Sequence, residues 1–198
     1  MLYIIRHGKT GMNSAHALQG RSDCPLNEEG VRQAEAAAAA LSGVRFSRVF
    51  TSPLIRAVQT ARIVAPYAEP ECDGRLIEMD YGPYEGADLR NPPPEIVKFF
   101  SDFSRNPAPD GMEQLSSVVG RAGDFLESIR GLEGDILIST HAIAMKGILE
   151  YLTPGSDGSY WSRYIGNGAV YAAQNREGEY GIPFEMETEA SGRSPADG

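Results

Sequence analysis

Met1-Leu-Tyr-Ile-Ile-Arg-His-Gly-Lys-Thr10 opens the chain, and the fold is read from it. Leu2 to Ile5 is a short apolar run rich in aromatic and β-branched residues, the pattern of a buried central strand, and it stops at Arg6-His7-Gly8. In open α/β sheets the ligand crevice lies beyond the carboxyl ends of the strands, so Arg6 and His7 stand where chemistry is expected. Gly8, lacking Cβ, lets the backbone approach a ligand closely. These ten residues alone are equally compatible with a satisfied histidine at a strand end. The choice between the two rests on the remainder of the chain.

Outward from that strand, Gly11 to Leu26 has no sustained period and reads as a long loop, with His16 an exposed loop residue. Asn27 is a good N-cap for a helix from Glu28 to Leu41, whose apolar side is Val31, Ala34, Ala38 and Leu41. Ser47 to Thr51 is a strand candidate, and Ser52-Pro53 starts a helix carrying Leu54, Ala57, Val58, Ala61 and Val64. Arg56 falls in its first turn. A cation there opposes the positive end of the helix, a conflict that a shared anionic ligand would remove.

From Arg75 to Gly86 the chain is turn-rich and bears three carboxylates, Glu78, Asp80 and Glu85. Residues 87–112, with prolines at both ends and an aromatic patch at Phe99, Phe100 and Phe103, interrupt the βα alternation and suggest one short helix in a lid-like insertion. Glu113 to Arg130 is the clearest helix. Asp135 to Ser139 is a second buried strand, and Thr140-His141 ends it as Arg6-His7 ends the first. A helix with Ile143, Ile148, Leu149 and Leu152 follows, then Trp161, Tyr164 and Tyr171 as cover for the sheet and Ala169 to Ala173 as a last strand. The expected fold is α/β: a three-layer sandwich with a mostly parallel central sheet flanked by helices. One domain spans residues 1–198, with 191–198 as a flexible tail.

Composition narrows the function. Apolar residues at 41% and charged residues at 23% suit a globular core and exclude general disorder. A net charge of −9 argues against nucleic acid or a membrane surface as partner, so any anion site must be a local basic pocket. Neither a signal-peptide pattern nor an apolar run of membrane-spanning length is present, which makes the cytoplasm the expected location. Cys24 and Cys72 are not in CxxC spacing and read as free thiols.

Two of the three histidines, His7 and His141, each end a core strand. If those strands are parallel neighbours, both imidazoles meet at one sheet edge with Arg6 and Arg56. Two guanidiniums and two imidazoles, without cysteine or ligand spacing, make a poor metal site and a good phosphoryl pocket. Such a clamp supplies the positioning and charge stabilisation that phosphoryl transfer needs, with no metal or cofactor.

The sequence resembles the histidine phosphatase superfamily. The resemblance rests on Arg6-His7-Gly8-Lys9-Thr10, Asn13, Gln19-Gly20, Leu26 to Gly30, Thr51 to Ala57, Glu78 to Gly86 and Ser139-Thr140-His141, in family order over about residues 2–152. It implies a phosphatase acting on a small-molecule phosphate ester through a phosphohistidine on His7, with a phosphoglycerate mutase-type transferase as the alternative. It further implies that Arg6, Arg56 and His141 hold the phosphoryl oxygens, that Asn13 and the Gln19-Gly20 backbone complete the cradle, and that Glu78 is general acid and base, protonated at rest, with Glu85 as fallback. Ala142, where glycine commonly follows the second histidine, would give less room for a backbone contact to phosphate, and Lys9 stands where many members carry Glu. A non-catalytic phospho-ligand binder would be expected to have lost His7, His141 or the acid, and a metal-dependent hydrolase would fail with a chelator. A mutase would be expected to pair arginines in the insertion, whereas 87–113 holds only Arg90, Lys98 and Arg105. The physiological ester stays open, with segment 91–111 as its selector and a lean toward an aromatic or nucleoside-like leaving group. Oligomeric state is open too, a homodimer included.

Overall fold

The computed structural model describes residues 1–188. The opening run forms β1 (Leu2–Arg6), and its period-two alternation sorts the core into two halves. Leu2 and Ile4 join a cluster with α5 (Leu115–Ile129) and α6 (Ala142–Leu152), while Tyr3 and Ile5 face α2 (Glu28–Ala40) and α3 (Ile55–Val64). Two helical layers therefore enclose one sheet, as the sequence predicts.

The sheet runs in the order β3-β2-β4-β1-β5-β8. Here β2 is Phe46–Thr51, β3 Glu71–Cys72, β4 Asp135–Thr140, β5 Val170–Ala173 and β8 Phe184–Glu185. The four strands from β3 to β1 are parallel, and β5 and β8 each run antiparallel to their inner neighbour. A separate hairpin pairs β6 (Asn175–Arg176) with β7 (Glu179–Tyr180). The register matters for the site: Arg6 pairs with Thr140, and Thr51 with Ser139. Three parallel strands thus end level, and His7 donates its backbone N–H to Thr140 O at 2.9 Å.

The third cluster lies under the insertion. One helix, α4 (Pro94–Ser101), buries Ile96 and Phe99 against Met79, Val118, Ile143 and Trp161. Burying those two side chains contributes about 1.5–3 kcal/mol each, so the inserted helix is anchored to the body.

Several expectations need correction. The Gly11–Leu26 segment begins with a helical turn, α1 (Gly11–Ser14), held by a reciprocal cap between Thr10 and Asn13. In α2 the buried face is Gly30, Ala34, Ala37 and then Leu41, whereas Val31 is 36% exposed. Gly30 turns inward because α2 packs backbone to backbone on the strand end: a Cβ on Gly30 would lie 2.0 Å from Lys9 O, and one on Gly8 2.2 Å from Gly30 O. The α3 helix starts at Ile55 rather than Ser52, and its Ile55 amide is met from outside by Asp23 Oδ1 at 2.7 Å. The α5 helix is shorter than Glu113 to Arg130 by two residues at its start and one at its end. Tyr164 is 64% exposed and covers no sheet, Trp161 packs under the insertion, and Tyr171 is itself a residue of β5. Cys24 and Cys72 are free. The expected tail, 191–198, lies outside the described residues.

Candidate active site

His7 is 3% exposed at the end of β1, and both of its ring nitrogens are engaged. Nδ1 lies 2.7 Å from Gly8 O, an acceptor only, so it carries the proton. Nε2 in turn accepts from Arg56 Nε at 3.1 Å. One neutral tautomer is thereby selected, with its basic nitrogen aimed into the charged cluster. Burial pushes the His7 pKa well below the usual imidazole value, and the positive Arg56 and Arg6 push it the same way. Gly8 N donates to Thr60 Oγ1 at 3.2 Å, and Asn167 Nδ2 donates to His7 O at 3.1 Å.

Arg56 is fully buried, a large cost for an unpaired guanidinium. Its other donors reach Ser22 O at 2.7 Å and Gly20 O at 2.6 Å, so a loop carbonyl pair offsets part of that cost. The loop is shaped in turn by Glu85, whose carboxylate accepts from the amides of Gly20, Arg21 and Ser22 at 2.9–3.3 Å. Gly20 admits no side chain, since a Cβ would lie 2.6 Å from Glu85 Oε2 and 2.7 Å from Met79 O. Both backbone polar groups of Gly20 are thus spent on building the loop.

His141 is fully buried one residue past β4, its ring 5.1 Å from that of His7. Its Nε2 lies 2.7 Å from Ser52 Oγ, which already accepts from Leu54 N. Its Nδ1 is a buried atom with no protein partner, turned away from Ser52. Burial lowers the His141 pKa well below the usual value, helped by Arg56, His7 and Arg6. Arg6 donates through one Nη to Ile165 O, while its Nε is another buried atom without a partner. Gln19 Nε2 is a third, its Oε1 accepting from Thr10 Oγ1 at 2.7 Å.

Glu78 is 3% exposed and lies across the start of α6. Its Oε1 accepts from Met79 N at 2.9 Å and Ala144 N at 3.0 Å, and Oε2 from Ile143 N at 3.2 Å. Ala142, the first residue of α6, follows His141 directly. Asn13 Oδ1 caps Thr10 and meets Asn167 Nδ2 at 3.4 Å.

The structure therefore gathers Arg6, His7, Arg56, His141 and Glu78 at one edge of the sheet, with Asn13 of α1 and Gln19 of the following loop beside them. Sequence reasoning missed Ser52, Thr60, Asn167 and the clasp made by Glu85. Ser52 lies in the Thr51-Ser-Pro53 strand-to-helix junction and Asn167 in a Gly166-Asn-Gly168 turn, both local patterns that mark a residue at a strand end. Thr60 looked like any polar residue of an amphipathic helix. Among the described residues, no group of three or more His, Cys, Asp or Glu is arranged to hold a metal ion. No helix among them is long and apolar enough to cross a membrane.

Comparison with known proteins shows the family of the chain. The family model for the histidine phosphatase superfamily (branch 1) matches residues 2–183. Fructose-2,6-bisphosphatase TIGAR of Xenopus tropicalis is 41% identical over 133 residues, 64% of this chain and 48% of that protein. The chain thus spans about half the length of that relative. The probable phosphoglycerate mutase GpmB of Yersinia pestis is 30% identical over 76% of this chain and 74% of its own length. Phosphoserine phosphatase of Entamoeba histolytica, solved in complex with 3-phosphoglyceric acid, superposes with a TM-score of 0.79 at 25% identity, covering 94% of this chain and 95% of that one.

Proposed function

Because the chain belongs to branch 1 of the histidine phosphatase superfamily, we propose that it is a metal-independent phosphomonoester hydrolase working through a phosphohistidine on His7. The observation that carries this reading is the state of His7: a neutral, buried imidazole whose Nδ1–H donates to Gly8 O and whose Nε2 faces Arg56. In the first step the Nε2 lone pair attacks phosphorus as the bond to the leaving oxygen breaks, and Arg56 Nε turns its hydrogen to a phosphoryl oxygen. Arg6 Nε, Gln19 Nε2 and His141 Nδ1 are buried nitrogens suited as donors to the other oxygens. Asn13, Gly20 and Ala142 contribute by shaping the cradle.

Glu78 gives its proton to the leaving oxygen in this step. Its Oε2, with a single amide donor, keeps a lone pair for the transfer. In the second step water attacks phosphorus, its proton passes to Glu78, and the P–N bond breaks to return neutral His7. Glu85 is read as the residue that positions the Arg56 loop rather than as the acid, because each of its oxygens accepts from two amides, Oε1 from Gly20 and Ser22 and Oε2 from Gly20 and Arg21, whereas Glu78 Oε2 accepts from one.

The proposed substrate is a small phosphorylated metabolite, in keeping with the names of the relatives, and the proposed location is the cytoplasm. Residues 87–112 are taken as the insertion that borders the substrate. Hydrolysis of an aryl phosphate by wild type and His7→Ala, with and without a chelator, tests the reading; equal rates in the two proteins, or loss of activity with the chelator, would overturn it. A mutase reading is kept by the likeness to GpmB, and phosphate passing between hydroxyls of a phosphoglycerate faster than its release would favour it.

A further inference from the structure

Beside the histidine pocket lies a half-open cleft of about 560 Å³ between α4 and the 161–164 segment. Its walls include Phe100, Phe103, Trp161 and Tyr164, with Lys146 and Arg163 as its cations. Lys146 is the unusual member. It is only 9% exposed, it projects from α6, and its Nζ donates to Trp161 O at 2.8 Å while lying 5.2 Å from the centre of the Phe103 ring. Among the described residues no carboxylate lies within 4 Å of it to form an ion pair. The single acid of the cleft wall, Asp102, is turned to its own loop, accepting from the amides of Ser104 and Arg105 and lying 3.6 Å from Arg105 Nε.

A buried ammonium is costly unless it meets a counter-charge, and a carbonyl with one ring face offsets only part of that cost. The cleft wall is one residue along the chain from the phosphoryl pocket. Tyr164 is followed by Ile165, whose carbonyl holds Arg6, and the charges of Arg6 and Glu78 both act on Lys146.

We propose that this cleft seats the leaving group, and that Lys146 selects alcohols that carry a second negative charge, a carboxylate or a phosphate-like group, on a flat or apolar body. The proposal rests on the phosphatase reading for the position of the scissile phosphate. The aromatic walls take the body of the leaving group by stacking and apolar contact, and the Lys146 donors left free by Trp161 O take its anion. Burial, aided by Arg6, pushes the Lys146 pKa down to about 8, which leaves the amine mainly charged near neutral pH.

Trp161 is the only tryptophan of the chain, so its fluorescence reports cleft occupancy without catalysis. Titration with 4-hydroxybenzoate, 4-hydroxyphenylphosphonate and the neutral 4-hydroxybenzamide should change that fluorescence at concentrations roughly tenfold or more lower for an anion than for the amide, the scale of a charge-assisted hydrogen bond. The tighter of the two anions names the preferred group. In Lys146→Met the anion preference should disappear, and Lys146→Gln serves as the second variant should the first misfold. In parallel, the kcat/KM ratio of 4-carboxyphenyl phosphate to 4-carbamoylphenyl phosphate should fall by the same factor in Lys146→Met. Equal binding of acid and amide by wild type, or an anion preference that survives both substitutions, overturns the proposal. Absence of ester hydrolysis together with a Lys146-dependent fluorescence change would instead overturn the phosphatase reading and leave an anion site.

Discussion

The pocket at the ends of β1 and β4 and the cleft beside it share one stretch of chain, residues 161–168, yet they are built differently. In the pocket, that stretch supplies Ile165 O to Arg6, Asn167 Nδ2 to His7 O and the Gly168 amide to the Arg6 carbonyl. Every charged group there is held by backbone, and the loop that holds Arg56 is itself clasped by Glu85. In the cleft the same stretch gives ring faces and one carbonyl, and a cation is left with donors to spare. The first arrangement suits a reaction whose geometry is constant from one ester to another. The second suits a leaving group that varies. Substitutions in the pocket should therefore act on the chemical step, and those in the cleft on selection.

The most severe way to break that contrast is to remove the proposed nucleophile. His7→Ala should lower kcat by about four orders of magnitude or more on every ester, charged or neutral, because no other group can take over the attack. Single-turnover kinetics with two esters differing only in leaving-group charge would measure it. A drop confined to one ester would erase the distinction between the regions. Glu78→Gln comes next, at about 10²–10⁴-fold in kcat. The loss should be greatest for a poor leaving group such as an alkyl alcohol and smallest for a nitrophenol, which departs without a proton. A uniform loss over that series would take the acid role away from Glu78.

Glu85→Ala sharpens the boundary between the two regions. With the clasp on Gly20, Arg21 and Ser22 gone, Arg56 loses its fixed carbonyl partners, and a misplacement of about 1 Å costs about 10²-fold in rate. The effect should appear in kcat, while 4-hydroxybenzoate still changes Trp161 fluorescence at its wild-type concentration. If Glu85 served only general stability, fluorescence and kcat would decline together with the melting temperature.

The two regions also differ in how far the sequence exposed them. The alternation of β1, the apolar run of β4 and the histidine after each were enough to expect parallel neighbours with both imidazoles at one edge, because strand period and chain direction are local properties. The turn to Gly30 as the buried face of α2 was not legible from helix periodicity. It depends on Gly8 and Gly30 meeting backbone to backbone, a contact between segments about twenty residues apart. Glu85 was read as a spare acid for a similar reason: three amides 63 to 65 positions away occupy its carboxylate, and no spacing rule announces them. Lys146 lay inside an apolar helix pattern and drew no attention, since its meaning comes from Trp161 and Phe103 across the cleft.

The smallest expected effect concerns protons, and it too belongs to the pocket. His7 and His141 are both buried, and both are held well below the usual imidazole pKa, by desolvation first and then by Arg56. The unfolded chain, with histidines near 6.5, therefore binds more protons than the folded one as the pH falls below that value. Stability is present in full above about pH 6.5 and declines on acidification through the window down to the folded values, by up to about 1.4 kcal/mol per pH unit for each histidine. The salt-bridged carboxylates, such as Asp73 beside Arg75 and Glu127 at about 2 beside Arg130, add their own losses only below about pH 5, as the pH falls through the ordinary carboxylate values toward the folded ones. Urea unfolding between pH 6.5 and 5 thus isolates the imidazoles. The slope of unfolding free energy against pH should approach that of two protons in wild type and of one in His7→Asn or His141→Asn. Since no histidine lines the cleft, Lys146→Met should leave this acid slope unchanged. A slope that persists undiminished in both asparagine variants would mean that the pocket imidazoles do not titrate with unfolding, and with that the neutral, pre-aligned His7 on which the chemistry depends would be lost.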